Sequence, residues 1–413
     1  MNVARSTTKN NLKTLLASFY YQRVLPCVAM RHIRVSWVHR NIKDVKVIDN
    51  HITRVTWDDN ETCDYPHIFL RDNCQCSTCF HPYSKQRLLD TVKNINDNES
   101  TGDVSVTWPD KHVSLFSSKW LKERKFPKEG DKISSTVFKN IRTIKWTSQY
   151  MKENMPYISY QDLMKDDKTL VQHVENLLTT GLSIVKAAPA ESGVLHKITE
   201  RMTYGYIQKT HYGEVMTIKS KPSPSNVAFT AGYLQLHTDY LEYQPGLQLL
   251  HCIEQCDGED SGVNHFTDGV MAAEKLNERH SNYFDLLSKV KFKFNDEGSD
   301  LYGKFNVQTE RPVIGLDAFG EVQSIAHNNH VRSSFVNASS NTVYESYKAH
   351  YEFTRILYSD IFEYKMEPGD IMIFNNKRIL HGRTSFDPTT CYFNWDEVAS
   401  IYRVAKARID ENE

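Results

Sequence analysis

The chain has no excess of either charge. Fifty Lys and Arg residues face 51 Asp and Glu, a formal net charge of −1 over 413 residues, so no general field draws in nucleic acid or an anionic membrane. Long apolar runs are also missing, none approaching the roughly 18 residues that span a bilayer as a helix. There is no internal repeat and no low-complexity tract. What remains is the composition of a soluble globular protein, long enough for two or three domains.

One absence is local. The first 43 residues hold no Asp or Glu but carry Arg5, Lys9, Lys13, Arg23, Arg31, Arg34, Arg40 and Lys43 among Ser, Thr, Leu and Tyr. That composition predicts a mitochondrial transit peptide over 1–43. A secretory signal fits less well because Arg23 interrupts the h-region. An untargeted disordered leader, with a cytoplasmic protein, is the bland alternative.

The eight cysteines are uneven. Cys27, Cys63, Cys252, Cys256 and Cys391 are scattered and read as small buried hydrophobes. Cys74, Cys76 and Cys79 fall within six positions, which in a long non-secretory chain favours metal over disulfides. Tetrahedral zinc needs a fourth donor. His112, in the WPDKH turn between the strands VSVTW and HVSLF, is a candidate, with His67 and His81 as competitors. A closed site of this kind contributes folding free energy to a small module.

Strand-like patterning begins near Val45, and SSKWLKER reads as a short helix capped by Ser117 or Ser118. A polar Pro/Gly stretch then marks a boundary. Beyond it, YQDLMKDDKTLVQHVENLLTTG and SGVLHKITERM are helical. Short strands follow (LQLHTDY, GLQLLHC, KVKFKF, RPVIGL, IMIF, CYFNW), interrupted by one long helix, TVYESYKAHYEFTRILYS. Many strands without βαβ alternation predict a mainly β protein with flanking α: a jelly-roll domain plus a small N-terminal zinc-binding β domain. The expected segments are a leader 1–43, the zinc domain 44–125, a linker 126–155, the jelly roll 156–405 and a tail 406–413.

Leu236-His237-Thr238-Asp239-Tyr240 carries the chemistry. On a strand, residues i and i+2 share a face roughly 6–7 Å apart, so His237 and Asp239 can reach one metal. With a second histidine they make a 2-His-1-carboxylate triad, which suits Fe(II) because it leaves positions for cosubstrate and oxygen. A His-x-Asp pair in a surface turn is the bland reading. His381, after the strand IMIF, is the candidate third ligand, and His251 its rival.

The segments FLRDNCQCSTC, WPDKHVS, LHTDY, PGLQLLHC, MEPGD and LHGRTSF, in this order from about residue 45 to 405, resemble the γ-butyrobetaine/trimethyllysine dioxygenase family. CQCSTC and GLQLLHC side with its butyrobetaine branch, while a mitochondrial leader leans toward the trimethyllysine one. The resemblance implies Fe(II) on His237, Asp239 and His381, and zinc on Cys74, Cys76, Cys79 and His112. It also implies 2-oxoglutarate and O2 as cosubstrates, ascorbate as reductant and a homodimer. The expected activity is hydroxylation of γ-butyrobetaine to L-carnitine, with trimethyllysine 3-hydroxylation as the alternative.

A trimethylammonium group donates no hydrogen bond, so aromatic faces must recognise it. By resemblance the cage is Tyr212, Met216, Phe229 and Tyr392, the substrate carboxylate meets Tyr240 and Asn328, and Asn226 lies near substrate or cosubstrate. Met216 stands where the family has tryptophan, and Phe229 where it has tyrosine. A larger departure follows His381. The family places an arginine about a dozen residues on, paired with the distal carboxylate of 2-oxoglutarate, but here TSFDPTT runs straight into CYFNWD. The chain is then a shortened isoform of an active enzyme, a protein in which Arg383 has taken over that anchor, or a pseudoenzyme that keeps metal without turnover.

Overall fold

The computed structural model describes residues 42–49, 51–84, 86–89, 104–108, 111–126, 143–219, 224–387 and 394–400. Nearly all of the predicted leader, the tail and the cage position Tyr392 lie outside them. Two units, Met1–Asp131 and Lys132–Glu413, divide the chain.

In the first unit Ile42–Asp49, Ile52–Trp57 and Thr62–Pro66 form an antiparallel sheet. Alternation in ITRVTW buries Thr53, Val55 and Trp57 on one face, where they meet Tyr65, Leu70, Val106 and Trp108. The predicted hairpin is present, Ser105–Thr107 pairing with Val113–Leu115. Ser117 accepts from the Trp120 N–H and caps helix Ser118–Glu123, as that sequence predicts.

The second unit is built on two sheets. Six strands run in the order Met216–Ile218, Asn394–Ser400, Leu247–Glu254, Ile371–Asn375, Leu182–Lys186 and Tyr157–Ser159. Four more run Leu234–His237, Ile379–Arg383, Asn264–Asp268 and Phe362–Tyr364. Leu250, Cys252, Met372 and Phe374 from the larger sheet pack with Phe266, Phe362 and Ile379 from the smaller one, so the main core lies between them. The alternate residues of the larger sheet, Leu247, Leu249, Ile371 and Ile373, pack under helices Asp167–Thr179 and Val194–Thr203. Two facing sheets with helices outside are the predicted jelly roll.

The run YQDLMK…LLT is two helices rather than one. Asp166 leaves the helical region at ψ 124 and accepts from the N–H groups of Lys168 and Thr169, ending Tyr160–Lys165 and capping Asp167–Thr179. Helices Gly269–Arg279 and Ser281–Lys289 were not anticipated, nor were the short His67–Asp72 and Ser148–Asn154, the last inside the expected linker. Asp268 caps the first, and Ala272, Ala273, Leu276, Phe284 and Leu287 pack against Phe353 and Ile356 of the long helix Ser340–Tyr358. No helix among the described residues is long and apolar enough to cross a membrane.

Candidate active site

Strand pairing brings the histidines together. His237 and His381 are register partners on adjacent antiparallel strands, with ring centroids 4.3 Å apart. Asp239 arrives by a different route from the one its spacing predicted. The strand ends at His237, and Asp239 lies in a bend before Tyr240, a non-glycine residue at φ 50. Asn376 holds that bend from both sides: its Oδ1 accepts from the Asp239 N–H and its Nδ2 donates to the Asp239 carbonyl, each at 2.9 Å. Backbone in this left-handed region persists where surroundings over-determine it, and Asn376 supplies that restraint.

The carboxylate faces both rings, with Oδ1 3.2 Å from His237 Nε2 and Oδ2 3.3 Å from His381 Nε2. Gln248 Nε2 donates to Oδ2 at 2.8 Å. His237 Nδ1 donates to the Gln235 carbonyl at 2.7 Å, which leaves Nε2 as the lone-pair nitrogen on the carboxylate side. The three donor atoms lie within 4.8 Å of one another. Burial raises the Asp239 carboxyl, but the two imidazoles outweigh it and hold it well below the usual range. Burial and the charge of His237 push His381 down. Burial lowers His237, but Asp239 outweighs it and raises that ring. Two imidazoles and a carboxylate, buried and converging, fit Fe(II) by the chemistry of the donor set. His251 is wholly buried on strand Leu247–Glu254 and belongs to no such group.

Beside the three donors opens a cavity of about 740 Å³ counting its mouth, lined among others by Tyr212, Met216, Asn226, Tyr240, Asn328 and Arg383. The Tyr212 hydroxyl donates to Asp296 and accepts from Asn226 Nδ2, both at 3.0 Å. The Asn328 amide donates to the Thr238 carbonyl at 3.4 Å. Phe229 is not part of the lining; it is 1% exposed and stands edge-on behind Tyr212, 6.3 Å away.

Arg383 lies two residues beyond His381 on the same strand and reaches the same cavity. Its Nη1 and Nη2 donate to the carbonyls of Gly232 and Ala228, each at 3.2 Å, and burial pushes its pKa down to about 10. Sequence reasoning missed Asn264, the register partner of Arg383, whose buried Nδ2 has no hydrogen-bond partner among the described residues. It also missed Trp395 and Glu397, which the strand Asn394–Ser400 presents to the cavity. Burial, then the charge of Asp239, hold the Glu397 carboxyl well above the usual range.

In the first unit the Sγ atoms of Cys74, Cys76 and Cys79 lie 3.3, 3.5 and 3.5 Å from His112 Nε2, a set whose ligand atoms again fall within 4.8 Å of one another. The hairpin turn carries His112 to the cluster, Trp108 N–H bonding the His112 carbonyl at 2.8 Å. Three thiolates and one imidazole fit zinc. The competitors are elsewhere, His67 on the Thr53 hydroxyl at 2.9 Å and His81 on Ser84.

Residues 145–392 match the family described as Taurine catabolism dioxygenase TauD, TfdA family, and residues 46–122 match Gamma-butyrobetaine hydroxylase-like, N-terminal. Human gamma-butyrobetaine dioxygenase is 33% identical over 393 residues, covering 89% of this chain and 98% of the relative. Mitochondrial trimethyllysine dioxygenase of Bos taurus is 27% identical, covering 84% and 83%. Among solved structures, the non-heme iron oxygenase OrfP in complex with Fe and alpha-ketoglutaric acid aligns at a TM-score of 0.45 and 11% identity, over 62% of this chain and 96% of that one. The chain belongs to the TauD/TfdA family of Fe(II)- and 2-oxoglutarate-dependent dioxygenases, within the group that contains γ-butyrobetaine dioxygenase.

Proposed function

We propose that this protein hydroxylates γ-butyrobetaine to L-carnitine. One observation carries the reading: His237, Asp239 and His381 converge at a cavity that also holds Tyr212, Met216, Tyr240 and Asn328. Bound Fe(II) and 2-oxoglutarate supply the activation of O2 and its transfer to carbon. The chain's own residues bind and orient. Gln248 and Asn376 fix the Asp239 carboxylate and its backbone, and the Gln235 carbonyl fixes the His237 ring.

Arg383 and Asn264 take the distal carboxylate of 2-oxoglutarate. They are neighbours in register, and a carboxylate would take guanidinium N–H groups that now bond the backbone carbonyls of Gly232, Thr384, Ala228 and Thr230. On the substrate side Tyr212 offers a ring face, contributing roughly 0.5–2 kcal/mol to a bound cation, while Tyr240 and Asn328 offer polar atoms to the substrate carboxylate. Leu234, Leu250, Ile218 and Val331 keep water from the walls. The Cys74, Cys76, Cys79 and His112 set holds structural zinc. The acid-free basic composition of 1–43 supports a mitochondrial address.

Incubation with each substrate and mass-spectrometric assay of carnitine and hydroxytrimethyllysine tests the reading. Carnitine from γ-butyrobetaine is expected, and product from trimethyllysine alone overturns it. A second reading, metal binding without turnover, is favoured by the strand that turns Trp395 and Glu397 rather than an arginine into the cavity. Succinate release at background with either substrate would establish that one.

A further inference from the structure

Residues two apart on a strand face the same way, and Trp395 and Glu397 are the pair by which strand Asn394–Ser400 closes the cavity. The register sets Glu397 opposite Met216 on one neighbouring strand and Leu250 on the other. Its Oε1 accepts from the Tyr240 hydroxyl at 3.3 Å, and that hydroxyl lies 3.8 Å from Met216 Sδ. Glu397 therefore stands among residues assigned above to the substrate.

Its setting is acidic. Glu242 and Asp296 line the same cavity, and among the described residues Arg383 is the one Lys or Arg in the lining. Glu397 itself is 5% exposed. A carboxyl that deep is retained at low cost only beside a hydrogen-bond donor or a cation. Tyr240 and Gln248 supply donors, and the cavity leaves room for a cation.

The neighbouring position sharpens the point. Met216 offers a thioether, which lacks the quadrupole that draws a cation to an aromatic face. An ammonium that keeps an N–H forms a charge-assisted hydrogen bond to a carboxylate; a quaternary ammonium cannot. Burial and the charge of Asp239 raise the Glu397 carboxyl well above the usual range. A divalent ion on Asp239 offsets the second cause, and an adjacent ammonium opposes the first.

We propose that Glu397 determines substrate specificity, its carboxylate pairing with the cationic head of the substrate and favouring a tertiary or secondary ammonium over a quaternary one. The proposal rests on the butyrobetaine reading for the remainder of the substrate, with Asn328 as the partner of the substrate carboxylate and the Tyr240 hydroxyl committed to Glu397.

The test is calorimetric titration of the zinc- and Fe(II)-loaded protein, held anaerobic with 2-oxoglutarate. The ligands are γ-butyrobetaine, 4-(dimethylamino)butyrate and 4-(methylamino)butyrate. The wild type is expected to bind the dimethyl compound at least threefold more tightly than the trimethyl one. Glu397→Gln should weaken the dimethyl compound tenfold or more and reverse that order, with 2-oxoglutarate affinity moving less than twofold. Tighter binding of the trimethyl compound by the wild type overturns the proposal, as do unchanged Kd values in Glu397→Gln or no binding of all three. If the variant does not fold, the wild-type order decides alone. Carnitine formed with a flat Kd order sinks this proposal and leaves the butyrobetaine reading; the expected Kd order without hydroxylated product does the reverse.

Discussion

Replacing Asn376 by alanine tests how the site is held. The amide is fully buried and makes two hydrogen bonds to the backbone of Asp239, 137 residues away in sequence. Each bond contributes about 0.5–1.5 kcal/mol net, and each buried group left unsatisfied costs about 1–3 kcal/mol. These overlap, so a stability loss of about 2–4 kcal/mol is expected. The bend that aims the carboxylate also loses its restraint, and removing such outer support weakens metal sites by about 10–100-fold. Urea denaturation of the apoprotein and Fe(II) titration of the same preparation read the two effects. A loss below about 1 kcal/mol with unchanged Fe(II) affinity would refute the reasoning.

Gly382 follows His381 on its strand, and a Cβ there would stand 2.5 Å from the Leu234 carbonyl oxygen and 3.1 Å from the Gln235 backbone of the neighbouring His237 strand. Gly382→Ala should force those strands apart and lower Fe(II) stoichiometry, which metal analysis measures. Arg383→Met should raise the Kd for 2-oxoglutarate by tenfold or more, with Fe(II) binding intact, in anaerobic titration. Cys79→Ser should release zinc and unfold the first unit, seen as loss of near-ultraviolet dichroism from Trp57 and Trp108, because structural zinc is folding free energy. His173 is wholly buried, and burial lowers its pKa from 6.5 to about 4. It folds neutral, so its contribution is complete above pH 6.5 and disappears as the pH falls toward 4, about 3 kcal/mol by linkage. Urea midpoints from pH 7 to 4 should fall less steeply in His173→Gln.

Much of the fold was legible because local patterns and tertiary packing agree. ITRVTW alternates as a strand and buries alternate residues, and Ser117 caps the helix it precedes. Helices Gly269–Arg279 and Ser281–Lys289 were not, since each takes its apolar face from small or dispersed residues that only the long helix Ser340–Tyr358 completes. In the site, His237 was legible from its strand. Asp239 was reached by right spacing but wrong geometry, since a bend rather than a continued strand delivers it. Asn376, Asn264 and Glu397 left no local signal, because each acts across a long stretch of sequence, Asn376 by side-chain hydrogen bonds from a turn and the other two through strand register. Phe229 shows the limit of carrying roles by position: its ring supports Tyr212 from behind.

The convergence of His237, Asp239 and His381 on one ferrous ion is tested most directly by anaerobic addition of Fe(II) and 2-oxoglutarate to the apoprotein. The visible metal-to-ligand charge-transfer absorption of the chelate is recorded. The account predicts this band in the wild type and its loss in Asp239→Ala and His381→Ala. A band of equal intensity in those variants, or none in the wild type, would contradict it.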